Sequence, residues 1–264
     1  MPDFSGKTIV ITGGGSGLGR AMAEHLASLG GSVVVTGRRP EPLAQTVEAI
    51  SNAGGEAEAT PADVRAPDQV ETLIAGVVER HGGVDCLINN AAGNFIVRAE
   101  ELSPNGWNAV INIVLNGTFY CSRAAGRAMI ARARGGSILN MVASYAWTGG
   151  PGTIHSAAAK AGVIAMTQTL AVEWGRYGIR TNALCPGVVN TPGAAEKLFP
   201  TEAIRERIAR RVPLGRLESE GEVARAAAFL LSDEASYVNG AVFVADGGMW
   251  LEPGLLATVG KVER

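Results

Sequence analysis

The amino-acid sequence predicts an α/β fold, a doubly wound parallel sheet with helices on both faces. Three observations carry this. Seven short apolar runs alternate with six longer amphipathic stretches along nearly the whole chain. The runs at 7–12, 84–89 and 179–185 are apolar without strict alternation, as expected of central strands covered on both sides. A glycine-rich turn, Thr12–Gly19, joins the first run to the first helical stretch.

In chain order, Lys7–Thr12 reads as the first strand and 17–29 as the first helix. Strand Ser32–Thr36, helix 41–53, strand Glu56–Thr60 and helix 67–81 continue the alternation. Strand Val84–Asn89 leads to one long helical pattern, 104–132. Strand Gly136–Val142, helix 155–176 and strand Ile179–Cys185 follow, and helix 219–232 with strand Gly240–Val244 closes the series. Such alternation implies right-handed crossovers and parallel strands. No repeat or long linker interrupts it, so residues 1–264 are expected to form a single domain. The irregular stretch at 190–213 carries Arg205, Arg207, Arg210 and Arg211 and is broken by Pro192, Pro200 and Pro213. It reads either as a substrate lid or as a solvated surface helix.

Composition narrows the function. With 47% hydrophobic and 18% charged residues the chain can bury a large core. A net charge of −2 gives no general attraction to nucleic acid, so an anionic ligand needs a local basic cluster. Cys86, Cys121 and Cys185 lie far apart without CxxC spacing, which predicts reduced, buried thiols and no metal site. Met1–Ser5 shows neither a basic nor an apolar leader region, and no uncharged apolar run is long enough to span a membrane. The expected setting is cytoplasmic, with no membrane and no nucleic-acid partner.

The glycine string Gly13, Gly14, Gly15, Gly17 and Gly19, with Ser16 and Leu18 between, has the strand–turn–helix context of a pyrophosphate cradle. The second strand ends Thr36-Gly37-Arg38-Arg39, with two guanidiniums and no carboxylate. An acidic residue there would bind a ribose 2′-hydroxyl; arginine suits a 2′-phosphate. The predicted cofactor is therefore NADP(H), met by Arg38 with help from Ser16. Asp63, after the third strand, is a candidate acceptor for the adenine amino group.

Thr12–Gly19, Asn89-Asn90-Ala91-Ala92-Gly93, Lys160 after the fifth strand and Pro186-Gly187 after the sixth occur in the order and spacing of one family. From about Phe4 to Trp250 the chain resembles the short-chain dehydrogenase/reductases. The resemblance implies a Rossmann-type sheet of about seven strands and a homotetramer. It adds Val64, Asn90, Lys160, Pro186, Gly187, Val189 and Thr191 to the cofactor contacts. It also implies an Asn, Ser, Tyr, Lys tetrad, from which this sequence departs. Aligned on Lys160, Ser156 stands at the tyrosine position, Ala143 at the serine and Val114 at the asparagine.

A subfamily accounts for that pattern. Asn89–Phe95, Leu102–Trp107, Ile113–Phe119 and the set Tyr145, Ser156, Lys160 resemble the 2,4-dienoyl-CoA reductases. The resemblance implies an acyl-CoA thioester substrate held by Tyr145 and Asn94, with Phe95 and Ser103 as further contacts. Lys197 and the arginines at 205–211 are candidate partners for the CoA phosphates. Hydride added to a dienoyl thioester drives negative charge onto the distant thioester oxygen, so the reaction needs neutral donors there. Tyr145 and the Asn94 amide are such donors; Lys160 would orient the nicotinamide ribose, Ser156 would add a hydrogen bond, and Thr191 would meet the carboxamide. Two alternatives stay open: a carbonyl or 3-oxoacyl-thioester reductase with Tyr145 as acid, and a catalytically silent NADP(H)-binding protein. The adjacent His155 and Ser156 point about 100° apart on a helix and lack a Gly-x-Ser-x-Gly elbow, against a hydrolase pair.

Overall fold

Alternate residues of each strand feed two apolar layers. In the second strand, Val33 and Val35 pack with Met22, Leu26 and Leu43, while Val34 joins Val10, Leu73 and Val77 on the opposite face. The computed structural model describes residues 2–189, 191 and 201–251. Its strands are β1 (Thr8–Thr12), β2 (Ser32–Gly37), β3 (Glu56–Pro61), β4 (Cys86–Asn89), β5 (Gly136–Met141), β6 (Ile179–Pro186) and β7 (Val242–Ala245). They form one parallel, seven-stranded sheet in the order β3-β2-β1-β4-β5-β6-β7. This is the Rossmann-type architecture. The chain reverses direction across the sheet between β1 and β4, where open α/β sheets place their ligands.

Helices α1 (Gly17–Ser28) and α2 (Pro40–Asn52) cover one face near β1 and β2, and α3 (Pro67–His81) covers the other. The long pattern predicted at 104–132 is interrupted. It divides into α4 (Pro104–Ile111), a π turn at Asn112–Asn116 and α5 (Gly117–Arg132). Two local features accompany the extra residue. Asn116 Nδ2 donates to Asn112 Oδ1 at 2.8 Å, and Thr118 Oγ1 donates to the Val114 carbonyl at 2.6 Å. Gly117 also sits so close to Val64 that a Cβ there would lie 2.8 Å from its Cγ2.

A short helix unseen in the sequence pattern, α6 (Tyr145–Thr148), precedes α7 (Ile154–Trp174). Within the predicted lid, α8 (Glu202–Ala209) is a regular amphipathic helix started by the Thr201 hydroxyl, whose oxygen accepts from Ile204 N. Residue 190 and residues 192–200, with Lys197, lie outside the described residues. Helix α9 (Glu220–Leu231) begins with a reciprocal capping box between Ser219 and Glu222 and packs Val223, Ala227 and Leu231 into the layer of α1. Among the described residues no helix is long and apolar enough to cross a membrane.

Candidate active site

The Gly loop is shaped by crowding from below. A Cβ on Gly19 would lie 2.1 Å from the Gly13 carbonyl oxygen, and one on Gly14 would lie 2.7 Å from the Val35 side chain. Gly13 and Gly17 have φ of +68° and +49°, which glycine adopts without strain. Ser16 is the N-cap of α1, yet its side chain caps no backbone N–H, and the first turn holds no acidic residue. The amide donors and the positive end of the helix are thus left for an anion.

From the β4 side, Asn90 Nδ2 donates to the Thr12 and Gly13 carbonyls at 3.0 and 3.3 Å. Thr12 Oγ1 accepts from the Asn90 and Ala91 amides, each at 3.0 Å. Asn90 therefore enters the site as a brace of the loop. The cavity so formed, about 370 Å³, is lined by Gly13, Ser16, Gly17, Leu18, Arg38, Asp63, Val64, Asn90 and Thr191 among others. Arg38 is exposed at its edge and makes no hydrogen bond or ion pair among the described residues. The Asp63 carboxylate is held by Arg65, whose hydrogen bonds lower its pKa against the opposing effect of burial; Arg38 adds a smaller push in the same direction. An uncapped helix start, a glycine cradle and an unpaired guanidinium fit a phosphorylated dinucleotide. Gly19 lies beneath the loop instead of lining the cavity. A larger cavity, about 500 Å³, opens among Lys7, Asp85, Arg180 and Asp233 at the other ends of the strands. Size does not select the site; the carboxyl ends of the strands do.

Beside the switch point, Tyr145 Oη and Ser156 Oγ lie 3.0 Å apart. Burial raises the Tyr145 pKa, and the bond to Ser156 opposes that rise. Lys160, one turn further along α7, is only 8% exposed. Its Nζ donates to the Met141 carbonyl at 2.5 Å, and burial holds its pKa down to about 8. Val114 is buried against α7 in a cluster with Ala159 and Val163, so no polar side chain stands there. Ala143 follows β5 and is partly exposed.

Asn94 is exposed, and its Oδ1 accepts from the Phe95 amide at 2.9 Å, which leaves the Nδ2 group to point its donors elsewhere. The Phe95 ring meets the His155 ring edge-on, with centroids 4.5 Å apart. His155 Nδ1 accepts from the Ser156 backbone amide at 2.8 Å and not from its hydroxyl, so the two form no nucleophile–base pair. Ser103 is the N-cap of α4, its hydroxyl accepting from Gly106 N at 3.1 Å. That hydrogen bond gives Ser103 a capping role the resemblance did not imply.

A buried polar chain lies under the site and was not anticipated. Asn89 Nδ2 donates to Asn140 Oδ1 and Ser122 Oγ at 2.8 and 2.9 Å, and Asn140 Nδ2 donates to Thr167 Oγ1 at 2.8 Å. Two asparagines inside otherwise apolar strands were the available signal. The three thiols are buried, and burial pushes each up to about 12, which makes them inert.

Comparison with known proteins gives the family. The family model described as enoyl-(acyl carrier protein) reductase matches residues 13–250. A Bacillus subtilis (strain 168) protein described as probable 2,4-dienoyl-CoA reductase, (2E)-enoyl-CoA-producing, is 55% identical over 94% of this chain and 98% of its own. The chain is a short-chain dehydrogenase/reductase, and so an oxidoreductase. A solved member, a short chain dehydrogenase from Bacillus anthracis, superposes with a TM-score of 0.86 at 50% identity, over 94% of this chain and 98% of that one. A gluconate 5-dehydrogenase from Burkholderia cenocepacia, solved with NADP and tartrate, superposes at 0.88 with 32% identity, over 94% and 96% of the two chains. Within the family this chain resembles the 2,4-dienoyl-CoA reductases.

Proposed function

We propose that this chain reduces 2,4-dienoyl-CoA thioesters with NADPH, holding the developing negative charge on the thioester oxygen between Tyr145 Oη and Asn94 Nδ2. The observation that carries the proposal is the pairing of Tyr145 with Ser156 at 3.0 Å while the Lys160 ammonium is engaged elsewhere, on the Met141 carbonyl. Burial keeps the phenol protonated, so Tyr145 serves as a hydrogen-bond donor over the whole neutral range. Asn94, oriented by the bond its oxygen accepts from Phe95 N, has its Nδ2 donors left for the substrate. Two neutral donors of this kind contribute about 3–4 kcal/mol each to the transition state.

The bound cofactor supplies the hydride. Arg38 and Ser16 hold its 2′-phosphate end, and the Gly13–Gly19 loop with the α1 N-terminus holds the pyrophosphate. The unpaired guanidinium favours NADP(H) over NAD(H), and the relative solved with NADP supports the same choice. Asp63 and Val64 flank the adenine, Lys160 meets the nicotinamide ribose, and Pro186, Gly187, Val189 and Thr191 form the wall toward the nicotinamide. Phe95 packs beside the acyl chain. The proton that completes the reduction reaches carbon from Tyr145 or from water. The protein acts as a cytoplasmic homotetramer, for which the exposed apolar side chains of Phe119, Val172 and Phe243 offer surfaces.

The deciding assay follows NADPH oxidation and the near-ultraviolet absorbance of a 2,4-dienoyl-CoA together, against a 3-oxoacyl-CoA. Loss of both signals with the dienoyl substrate is expected. Turnover of the 3-oxo substrate alone would select a carbonyl reductase with Tyr145 as acid, and NADPH binding without turnover of either would select a silent binding protein.

A further inference from the structure

The end of β6 and the residues after it, Pro186-Gly187-Val188-Val189, are held at Gly187 by a residue thirty-one positions away. The Gly187 amide donates to Glu218 Oε2 at 2.7 Å and also to the Ala245 carbonyl at 3.0 Å. The Glu218 amide donates to the Val188 carbonyl at 3.1 Å, and Glu218 pairs with Val189 in an isolated parallel bridge. Gly187 has no room to yield toward the other side, because a Cβ there would lie 2.9 Å from the Asp246 Cα. Glu218 thus touches three consecutive residues of one turn, and it lines a cavity of about 240 Å³ with Val188, Val212, Asp246 and Gly247.

We propose that Glu218 is a positioning residue for the cofactor: as a carboxylate it clamps the Gly187 amide and fixes the Pro186–Val189 turn, and protonation loosens that turn. This rests on the reading above in which the turn walls the nicotinamide. A charged acceptor makes the stronger hydrogen bond to an N–H, and the difference from a neutral carboxyl corresponds to about fivefold in an equilibrium constant. The groups that face Glu218 set the pH at which the clamp changes. Burial lifts its carboxyl to about 7, the Gly187 bond opposes this, Glu222 on α9 and Asp246 after β7 add to the rise, and Arg216 lowers it. The Cys185 thiol on β6 is also within electrostatic range and stays neutral. The neighbouring Glu222 does not share the transition, because Arg216 and the Ser219 backbone hold it well below the usual carboxylate range.

The test is the NADPH dissociation constant of the full chain, from quenching or enhancement of nucleotide fluorescence between about pH 5.5 and 8.5. Wild type is expected to bind about fivefold more tightly at the high end than E218Q, the two curves converging at the low end as Glu218 takes up its proton. Titration of the 2′-phosphate is common to both proteins and cancels in the ratio. Parallel curves, or a wild-type advantage over E218Q that grows as the pH falls, overturn the clamp while leaving NADPH as cofactor. Wild type that binds no NADPH at any pH overturns both. If E218Q does not fold, the Glu218 carboxyl is titrated by NMR in wild type with and without saturating NADPH. By linkage the cofactor must move its midpoint to lower pH, and an unmoved midpoint overturns the proposal.

Discussion

Replacing Lys160 by methionine is expected to make the protein more stable and a poorer enzyme. The side chain is 8% exposed and, among the described residues, Nζ has one hydrogen bond, 2.5 Å to the Met141 carbonyl. Burial lowers its pKa from 10.5 to about 8. At about 1.36 kcal/mol per pKa unit, the folded protein carries on the order of 3 kcal/mol against the charged form. Methionine removes that cost at similar volume but leaves the Met141 carbonyl without its donor, at about 1 kcal/mol. The net gain of about 2 kcal/mol raises Tm by about 4 °C in a chain of this size. Because the folded pKa is depressed, the penalty is absent above pH 10.5, grows as the pH falls from 10.5 to 8, and is complete below 8. Thermal unfolding of the free protein, followed by circular dichroism at about pH 7, 9 and 10.5, therefore shows a gap between variant and wild type that closes with rising pH. A variant less stable than wild type at pH 7, or a gap indifferent to pH, refutes the argument that burial strains this ammonium. Weaker NADPH binding and a reduced kcat in the stabilised protein would show that the strain is kept for function.

Tyr145→Phe, which deletes one donor and leaves the ring, is expected to cut kcat on a dienoyl-CoA by about two to three orders of magnitude with KM little changed, and retention of a tenth of the rate contradicts its role. Asn94→Ala is expected to lose about two orders of magnitude by the same assay, whereas a change in KM alone would make it only a brace of the turn. Arg38→Glu puts a carboxylate where a phosphate should sit, and the ratio of kcat/KM for NADPH to that for NADH is expected to fall by at least about a hundredfold; an unchanged ratio removes Arg38 from the site. Gly19→Ala forces a methyl to within 2.1 Å of the Gly13 carbonyl, so both Tm and NADPH affinity should drop together; the overpacking cost is about 1–3 kcal/mol.

The central strands were legible because buried parallel strands leave continuous apolar runs, and β2, β5 and β6 begin at the residues where those runs begin; the edge strand β3, Glu56–Pro61, buries no residue yet also begins at the expected Glu56. Strand β4 begins two residues late, at Cys86, although the Asp85 backbone already bonds Thr8 and Ser137; the Asp85 carboxylate accepts from the Thr8 amide and pairs with Arg132. The interruption of 104–132 was invisible to periodicity. One inserted residue rotates the later turns by about 100°, yet both halves keep an apolar face. Helix α6 has four residues, too few for any period. In the site, the Gly loop could be read because its parts are contiguous. The Met141 carbonyl that holds Lys160 could not, since every residue offers one, nor could the grip of Glu218 on Gly187, which joins segments distant in sequence.

The departure from the family tetrad is explained by how the hydroxyls and the ammonium are paired. A ketone reductase needs an acid at the carbonyl oxygen, and a nearby ammonium makes a phenol a better acid. Here Tyr145 is bonded to Ser156, Lys160 is bonded to a backbone carbonyl, and burial pushes the phenol pKa up. Such a phenol is not activated for early proton transfer and serves first as a fixed hydrogen-bond donor. A dienoyl thioester asks for that combination, because its charge rests on oxygen while the proton is finally taken at carbon. Ser156 in place of tyrosine then does more than mark a lost acid. It supplies the hydroxyl that orients Tyr145 from one turn of α7, at the point where the family's own phenol would stand.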